Sequence, residues 1–531
     1  MLVEFVKNTT ALLTVGILLL FSVSCGLEKA RTQQESAPSN WVIKNTLVYD
    51  GTGMDPFNAD IHIIGGVIVG IGTFDAVAGE NVWDGRGLVL APGFIDPHSH
   101  HDSKLMKNPA PASLLAQGIT TIVSGLDGGA TTFGEPFVSI GHSMSIFEQN
   151  PAAVNLAYFA PHDTYREFVM GENSKRAATN EEIDQMKVML ERDLNFGALG
   201  LSTGLEYEPS LYSTTDEVIA LAKLSAKYGG KYSSHIRSED VKVNEAIDEV
   251  LTIAKEANIP ANISHIKLAM YELFGQSRSV INRLNAARKE GLDITADIYP
   301  YDGWKAPMAI LMPARDYSDR VAAEYALKSI ASPSSITITV YDGEPSYIGK
   351  NLQQLATEKN VNPVDLLMEL LLRAEKENLN ERVIGRNIGD EDIENFMRWP
   401  FTAITTDGGI DDSHPRGQGS FPRVLALYVR EKGVLSLRQA IRKMTSLPAK
   451  TLGISGRGLI KQGFAADLVL FDPERIQDHA TFEDSLQYST GIEAVWVNGE
   501  LVWHNGKATT ARPGQIIRRQ GTSKFPRVRK N

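Results

Sequence analysis

Two hydrophobic periods alternate along this chain. Between Trp41 and Gly72 short β-branched runs are broken by Gly, Asp and Asn, "WVIKNTLVYDGTGMDPFNADIHIIGGVIVGIG", the pattern of small antiparallel strands. The same period returns far downstream in "GFAADLVLFD" and "IEAVWVNGELVWHNGK", with Asn498-Gly499 and Asn505-Gly506 as hairpin signals. Neither piece can bury a core alone. The two are therefore expected to form one small β-sandwich domain assembled from residues 41–91 and 451–515, the two ends of the chain.

Between these pieces the period lengthens to that of helices alternating with strands. Residues 243–257 place Ile247, Val250, Leu251 and Ala254 on one helical face, and a second helix is expected over 279–290. Thr179 with Glu182, and Thr214 with Glu217, fit capping boxes, and Gly197 and Gly229 stand where those helices close. Strands are expected around Phe94, Ile122, Ala157, Leu199, Ser233, Ile263, Ala296 and Ile404. Eight strands with intervening helices favour an α/β architecture of the (β/α)8 TIM-like barrel type over residues 92–450, rather than an open doubly wound sheet. The interval 302–398 is too long for a simple crossover and reads as the expected helices plus an inserted flap.

The opening residues follow neither period. "TTALLTVGILLLFSVSCG" is an apolar run preceded by Lys7 and closed by small residues and Cys25, the only cysteine of the chain. Residues 1–25 resemble a bacterial lipoprotein signal peptide, with Cys25 as the lipidated residue after cleavage. That reading makes the protein an exported, membrane-anchored lipoprotein on the periplasmic or cell-surface side. An ordinary secretory signal and a soluble secreted protein are the alternative. Residues 26–40 read as a flexible tether and residues 516–531 as a basic tail.

Composition narrows the function classes. With 531 residues, 43% hydrophobic, 22% charged and a formal net charge of -11, the chain reads as a globular protein of enzyme size, and its acidity argues against general nucleic-acid binding. The Gly-rich stretches lack phosphate-loop and dinucleotide fingerprints.

The chemistry gathers at the expected strand ends, where a barrel keeps its reactive groups. In "PGFIDPHSHHDS", His98 and His100 are two residues apart, so an extended strand turns both imidazoles to the same side. Asp127 follows the second strand, His235 ends the fifth, His265 the sixth and Asp407 the eighth. One histidine in such a place is usually a satisfied core or loop residue; four of the chain's eleven, together with two aspartates, point to a metal centre. Imidazole and carboxylate ligands suit zinc, with manganese, cobalt or iron as substitutes, and one or two ions per chain. A divalent cation makes water nucleophilic near neutral pH, and Asp407 would take its proton and pass it to the leaving group. This is metal-assisted hydrolysis of a carbonyl bond. His101 and Asp102 stay unassigned, and His162 reads equally as a mouth residue or a structural one.

The run "APGFIDPHSH" and the late "GLIKQGFAADLVLFD" resemble the amidohydrolase superfamily. More narrowly, "GALGLSTGLEYEP", "GGKYSSHIRSE", "SHIK", "PHDTYREFVMG" and "HPRGQGSFPRVLALYVRE" resemble the N-acyl-D-amino-acid deacylases, or D-aminoacylases, and the likeness runs from Trp41 to about Lys507. The resemblance implies a zinc-dependent hydrolase that removes the acyl group from a small-molecule N-acyl-D-amino acid. It implies His98 and His100 at one metal position, His235 and His265 at the other, and Asp407 as base. It carries the substrate α-carboxylate to Tyr207 and Lys267, with Arg416 as a further candidate; an ammonium and a phenol suit a carboxylate.

Two departures stand out. Where many relatives carry a metal-binding cysteine in a "GNCG" turn, this chain has "SGLDGG", which makes Asp127 a candidate ligand; the competing reading is that Asp127 only shapes the turn with Gly128 and Gly129. A carboxylate is harder than a thiolate and bridges two ions, so the exchange bears on metal preference. Trp304 and Lys305 stand where relatives tend to have small residues, so side-chain preference does not carry over. Two other readings remain: an amidohydrolase acting on D-residue dipeptides or cyclic amides, and an exported binding lipoprotein without catalysis. The acyl group and the oligomeric state are not legible in the chain.

Overall fold

The computed structural model describes residues 39–521. The leader, Cys25, nearly all of the tether, and residues 522–531 of the basic tail lie outside the described residues.

Eight strands form the barrel: β1 (Phe94–Asp96), β2 (Ile119–Ser124), β3 (Asn155–Tyr158, continued by Ala160–Pro161), β4 (Gly200–Gly204), β5 (Lys231–His235), β6 (Ala261–Ile263), β7 (Ile294–Ile298) and β8 (Thr402–Ile404). Each pairs in parallel with the next, as in Ser202 opposite Ser233 and Ile298 opposite Ile404. Backbone bonds from Asp407 N to His98 O (2.9 Å) and from His100 N to Gly408 O (2.8 Å) close the ring between β8 and β1. Parallel strands buried on both faces carry apolar or small residues throughout, so all eight expected strands appear, the fourth beginning one residue after Leu199, at Gly200.

The amphipathic helices pack outside the strands. The two helices expected from periodicity run over Val243–Ala257 and Ser277–Lys289. Thr179 and Glu182 form the reciprocal capping box, but the second box is only half made. Thr214 accepts the Glu217 N–H, whereas the Glu217 carboxylate turns away to Arg166 and His162, because two buried cationic or polar donors outbid one exposed amide.

The long interval after β7 holds an antiparallel three-stranded sheet (Gly303–Ala306, Ile336–Tyr341, Glu381–Arg386) and three α-helices, Arg320–Tyr325, Leu352–Lys359 and Pro363–Glu377, before Asp390–Arg398 returns to the barrel wall. This flap stands over the C-terminal ends of the barrel strands.

The two ends of the chain meet in one nine-stranded sheet, in which Val89–Pro92 pairs antiparallel with Leu468–Phe471. Ile43, Ile61 and Ile68 from the first part share a core with Leu470 and Trp496 from the last. Burying each such side chain contributes about 1.5–3 kcal/mol, which neither part collects without the other. Asn498 (φ 48°) and Gly499 (φ 81°) make the left-handed hairpin turn that their sequence announced.

One boundary needs correction. Residues 516–521, expected to begin the basic tail, pack on the barrel floor: Ile516 bridges to Leu156, Ile517 N donates to Leu156 O (2.8 Å), and Arg519 Nη2 donates to Leu194 O (3.0 Å). The apolar pair Ile516-Ile517 outweighs the flanking charges. Among the described residues no helix is long and apolar enough to cross a membrane.

Candidate metal centre

Every candidate ligand sits at or just beyond the C-terminal end of a barrel strand, and the closed ring brings them together. His98 Nε2 lies 3.1 Å from Asp127 Oδ2 and 3.7 Å from Asp407 Oδ1. His100 Nε2 lies 3.4 Å from the same oxygen of Asp127 and 3.3 Å from Asp407 Oδ1. The other oxygen of Asp127, Oδ1, faces His265 Nε2 at 3.3 Å, and that nitrogen lies 3.0 Å from His235 Nδ1.

These spacings fit a coordination shell. Two ligand atoms about 2.1 Å from one ion at a tetrahedral angle lie roughly 3.4 Å apart. His98, Asp127, His265 and Asp407 bring one ligand atom each within 4.8 Å of one another. Nδ1 of His98 is buried without a hydrogen-bond partner, with Asp297 Oδ1 3.8 Å away. Asp127 lies between the two histidine pairs with one oxygen toward each.

The backbone bends sharply at these positions. Asp127 (φ 51°), His265 (φ 34°) and Asp407 (φ 47°) all adopt the left-handed region, which costs a non-glycine residue free energy and clusters at functional sites. Gly128 permits the turn: a Cβ there would stand 1.8 Å from Asp163 Oδ1.

The charges hold one another. Burial pushes the His100 and His265 imidazoles down, but the surrounding carboxylates, Asp127 and Asp407 above all, outweigh it and lift both to about 10. Burial pushes Asp127 and Asp407 up, and the imidazoles, joined at Asp407 by Arg416, bring both well below the usual carboxylate range. His100 is the most open of the set, its side chain 43% exposed to the mouth.

Of the sequence-predicted substrate residues, Tyr207 and Arg416 line the mouth and Lys267 does not. The Tyr207 ring packs at 4.3 Å against His235, tilted by 40°, and lines the mouth. Lys267 is buried and paired with Glu239 at 2.6 and 2.7 Å; Arg416 donates to Asp407 Oδ2 at 2.6 Å. The mouth opens into a cavity of about 850 Å³ that reaches from His100, Asp127 and Asp407 to Pro307, Ile310 and Leu371 of the flap. Lys305 crosses it to pair with Asp412.

Of the residues left open by sequence, His101 and His162 are structural. His101 is buried against Thr406 (3.2 Å), and His162 is buried between Glu217 (2.9 Å) and Ser210 (2.9 Å), away from the cavity lining. Asp102 lines the cavity. Sequence reasoning missed Tyr299, whose hydroxyl is buried without a partner while Lys267 and Arg416 stand 5.6 and 4.7 Å from its ring. Its position one residue beyond β7, in "DIYP", was the available signal.

Known proteins share this architecture. The amidohydrolase family model matches residues 392–503. A D-aminoacylase of Alcaligenes xylosoxydans xylosoxydans is 32% identical over 92% of this chain and 99% of its own length. A solved D-aminoacylase with a binuclear metal centre superposes with a TM-score of 0.82 at 30% identity, over 91% of this chain and all (100%) of its own. The N-acyl-D-glutamate deacylase of Bordetella bronchiseptica, solved with zinc and a phosphonate mimic of the tetrahedral intermediate, gives 0.81 at 30% identity, over 91% of this chain and 100% of its own.

Proposed function

The chain belongs to the D-aminoacylase family of amidohydrolases, and from that premise we propose that it is a metal-dependent hydrolase that removes the acyl group from N-acyl-D-amino acids. The observation that carries the reading is the convergence of His98, His100, Asp127, His235, His265 and Asp407, from five different strand ends, at one barrel mouth.

His98, His100 and Asp407 would hold one cation, His235 and His265 the other, with Asp127 between them. Zinc suits this donor set, and other divalent ions of similar hardness remain compatible with it. When bound, the cation supplies Lewis acidity: it polarises the amide carbonyl and makes water nucleophilic at neutral pH.

The chain supplies the rest. Asp407 Oδ1 faces the shared space, so it accepts a proton as the water oxygen bonds to the acyl carbon. That proton then passes to the departing nitrogen as the C–N bond breaks. The products are a carboxylate and a free D-amino acid. Lys267 stands with Arg416 around the Tyr299 ring, at 5.6 and 4.7 Å, and Tyr207 and Arg416 line the cavity and suit the substrate α-carboxylate. Holding that group fixes which face of the α-carbon turns to the centre, the physical basis for preferring one hand.

Purified protein assayed against matched N-acetyl-D- and N-acetyl-L-amino acids, with metal content measured on the same sample, tests the reading. Cleavage of D-substrates by a metal-loaded chain supports it. Cleavage of D-residue dipeptides or cyclic amides alone transfers the centre to a related amidohydrolase reaction.

We further infer export and anchoring through Cys25, on the pattern of the leader alone. Cys25→Ser is expected to abolish incorporation of labelled lipid and to release the protein from the membrane fraction.

A further inference from the structure

The candidate ligands use one ring nitrogen each, and the other nitrogen of His235 is spoken for. His235 Nε2 meets Glu206 Oε2 at 2.8 Å, and both groups are buried, with side chains 2% and 8% exposed. Glu206 itself is held: Arg315 of the flap donates through Nη2 to its backbone oxygen at 2.7 Å, and Leu205 N donates to His235 O at 3.0 Å, which ties this loop to the end of β5. No other side chain competes for the Glu206 carboxylate in the hydrogen bonds among the described residues.

The partner of His265 is different in kind. Glu239 lies 3.1 Å from its Nδ1, but the same carboxylate takes both short bonds from Lys267, whose ammonium also stands 2.8 Å from that nitrogen. Glu239 is shared with a cation, whereas Glu206 is committed to one imidazole.

We propose that Glu206 is the positioning residue of the His235 side of the metal centre: its carboxylate holds the Nε2 proton and leaves Nδ1 as the only ligating nitrogen of that ring. A carboxylate on the far nitrogen fixes ring orientation and tautomer and raises ligand basicity, and its loss typically costs about 10–100-fold in metal affinity. Without Glu206 the imidazole is free to bind through either nitrogen or to rotate out of register with His265. The assignment rests on the reading of His235 as a ligand.

The test is metal affinity, read by competition with a chelator such as dipicolinate, on the full chain loaded with Zn2+ and, for a spectroscopic signature, with Co2+. Three variants are compared: Glu206→Ala, Glu206→Gln and His235→Ala. Glu206→Ala is expected to weaken the ion on the His235 side about 10–100-fold and to alter the visible Co2+ bands. Its thermal midpoint after chelation is expected to match the chelated parent, which a merely structural glutamate would not allow. Glu206→Gln keeps an oxygen acceptor of the same size and is expected to fall between, so misfolding of the alanine variant does not hide the result. Parent-like affinity in both Glu206 variants, with weakened binding in His235→Ala, overturns the positioning role and leaves the metal centre standing. Parent-like binding in His235→Ala removes the ligand reading, and the role of Glu206 with it.

Discussion

Arg416 donates through Nη1 to Oδ2 of Asp407 at 2.6 Å, while the opposite oxygen of the same carboxylate faces His100 at 3.3 Å. One oxygen is thus committed to a permanent cation and the other is left for chemistry. Burial raises the Asp407 carboxyl, and Arg416 is the largest influence holding it down. Replacing Arg416 by Met is therefore expected to raise the pKa of Asp407 and move the acid limb of kcat/KM to higher pH. Asp407→Asn, in contrast, is expected to lower kcat by about 10²–10⁴-fold with little change in KM, the signature of a lost general base. Steady-state kinetics across pH checks both.

Asp127 is expected to separate its two roles on substitution. Asn tolerates the left-handed backbone but brings no charge, so Asp127→Asn should fold and carry less metal per chain. Asp127→Val is strained by its β-branch at φ 51° and should lose thermal stability as well. Metal analysis and melting of the two variants, side by side, distinguish ligand from turn former.

The pair of Lys267 and Glu239 predicts a substrate-specific effect. Lys267→Met is expected to raise KM for N-acetyl-D-amino acids by roughly 10–100-fold, the weight of a charge-assisted bond of about 1.5–3 kcal/mol. The matching D-amino-acid amides, which lack the carboxylate, should show little difference between parent and variant. An equal loss on both substrates would move Lys267 from binding to support of His265.

Glu217 governs acid stability away from the centre. Burial raises its carboxyl, but His162 and Arg166 outweigh that and leave it lowered overall. A carboxyl lowered in the folded state contributes stability above its unfolded pKa of about 4.3, and that stability is lost as pH falls through the lower folded value. Glu217→Gln should cost about 3–5 kcal/mol at neutral pH, because the buried Arg166 charge keeps its backbone acceptors but loses its counter-charge, and should flatten the acid limb of a denaturation series.

The barrel was legible because its strands and helices carry local periods, and the helix Val243–Ala257 appears with its predicted ends. The ligands were legible because strand-end histidines have few innocent explanations in such a fold. Glu206 was not, since an acid in a loop acquires its role only through His235, met across the β4 and β5 ends. Glu217 was misread for the same reason: three residues after Thr214 it completes a local motif, yet Arg166, distant in sequence, claims it. The left-handed φ at Asp127, His265 and Asp407 leaves no mark in composition, because none of them is glycine.

The joining of Val89–Pro92 to Leu468–Phe471 sets a timetable for biogenesis. The first strands to leave the ribosome can pair with one another, but the free edge of Val89–Pro92 stays without its hydrogen-bonding neighbour until nearly the whole polypeptide has followed. A premature stop anywhere before that late hairpin leaves an open sheet edge rather than a smaller working enzyme, so the nascent chain depends on chaperone cover until synthesis is almost done.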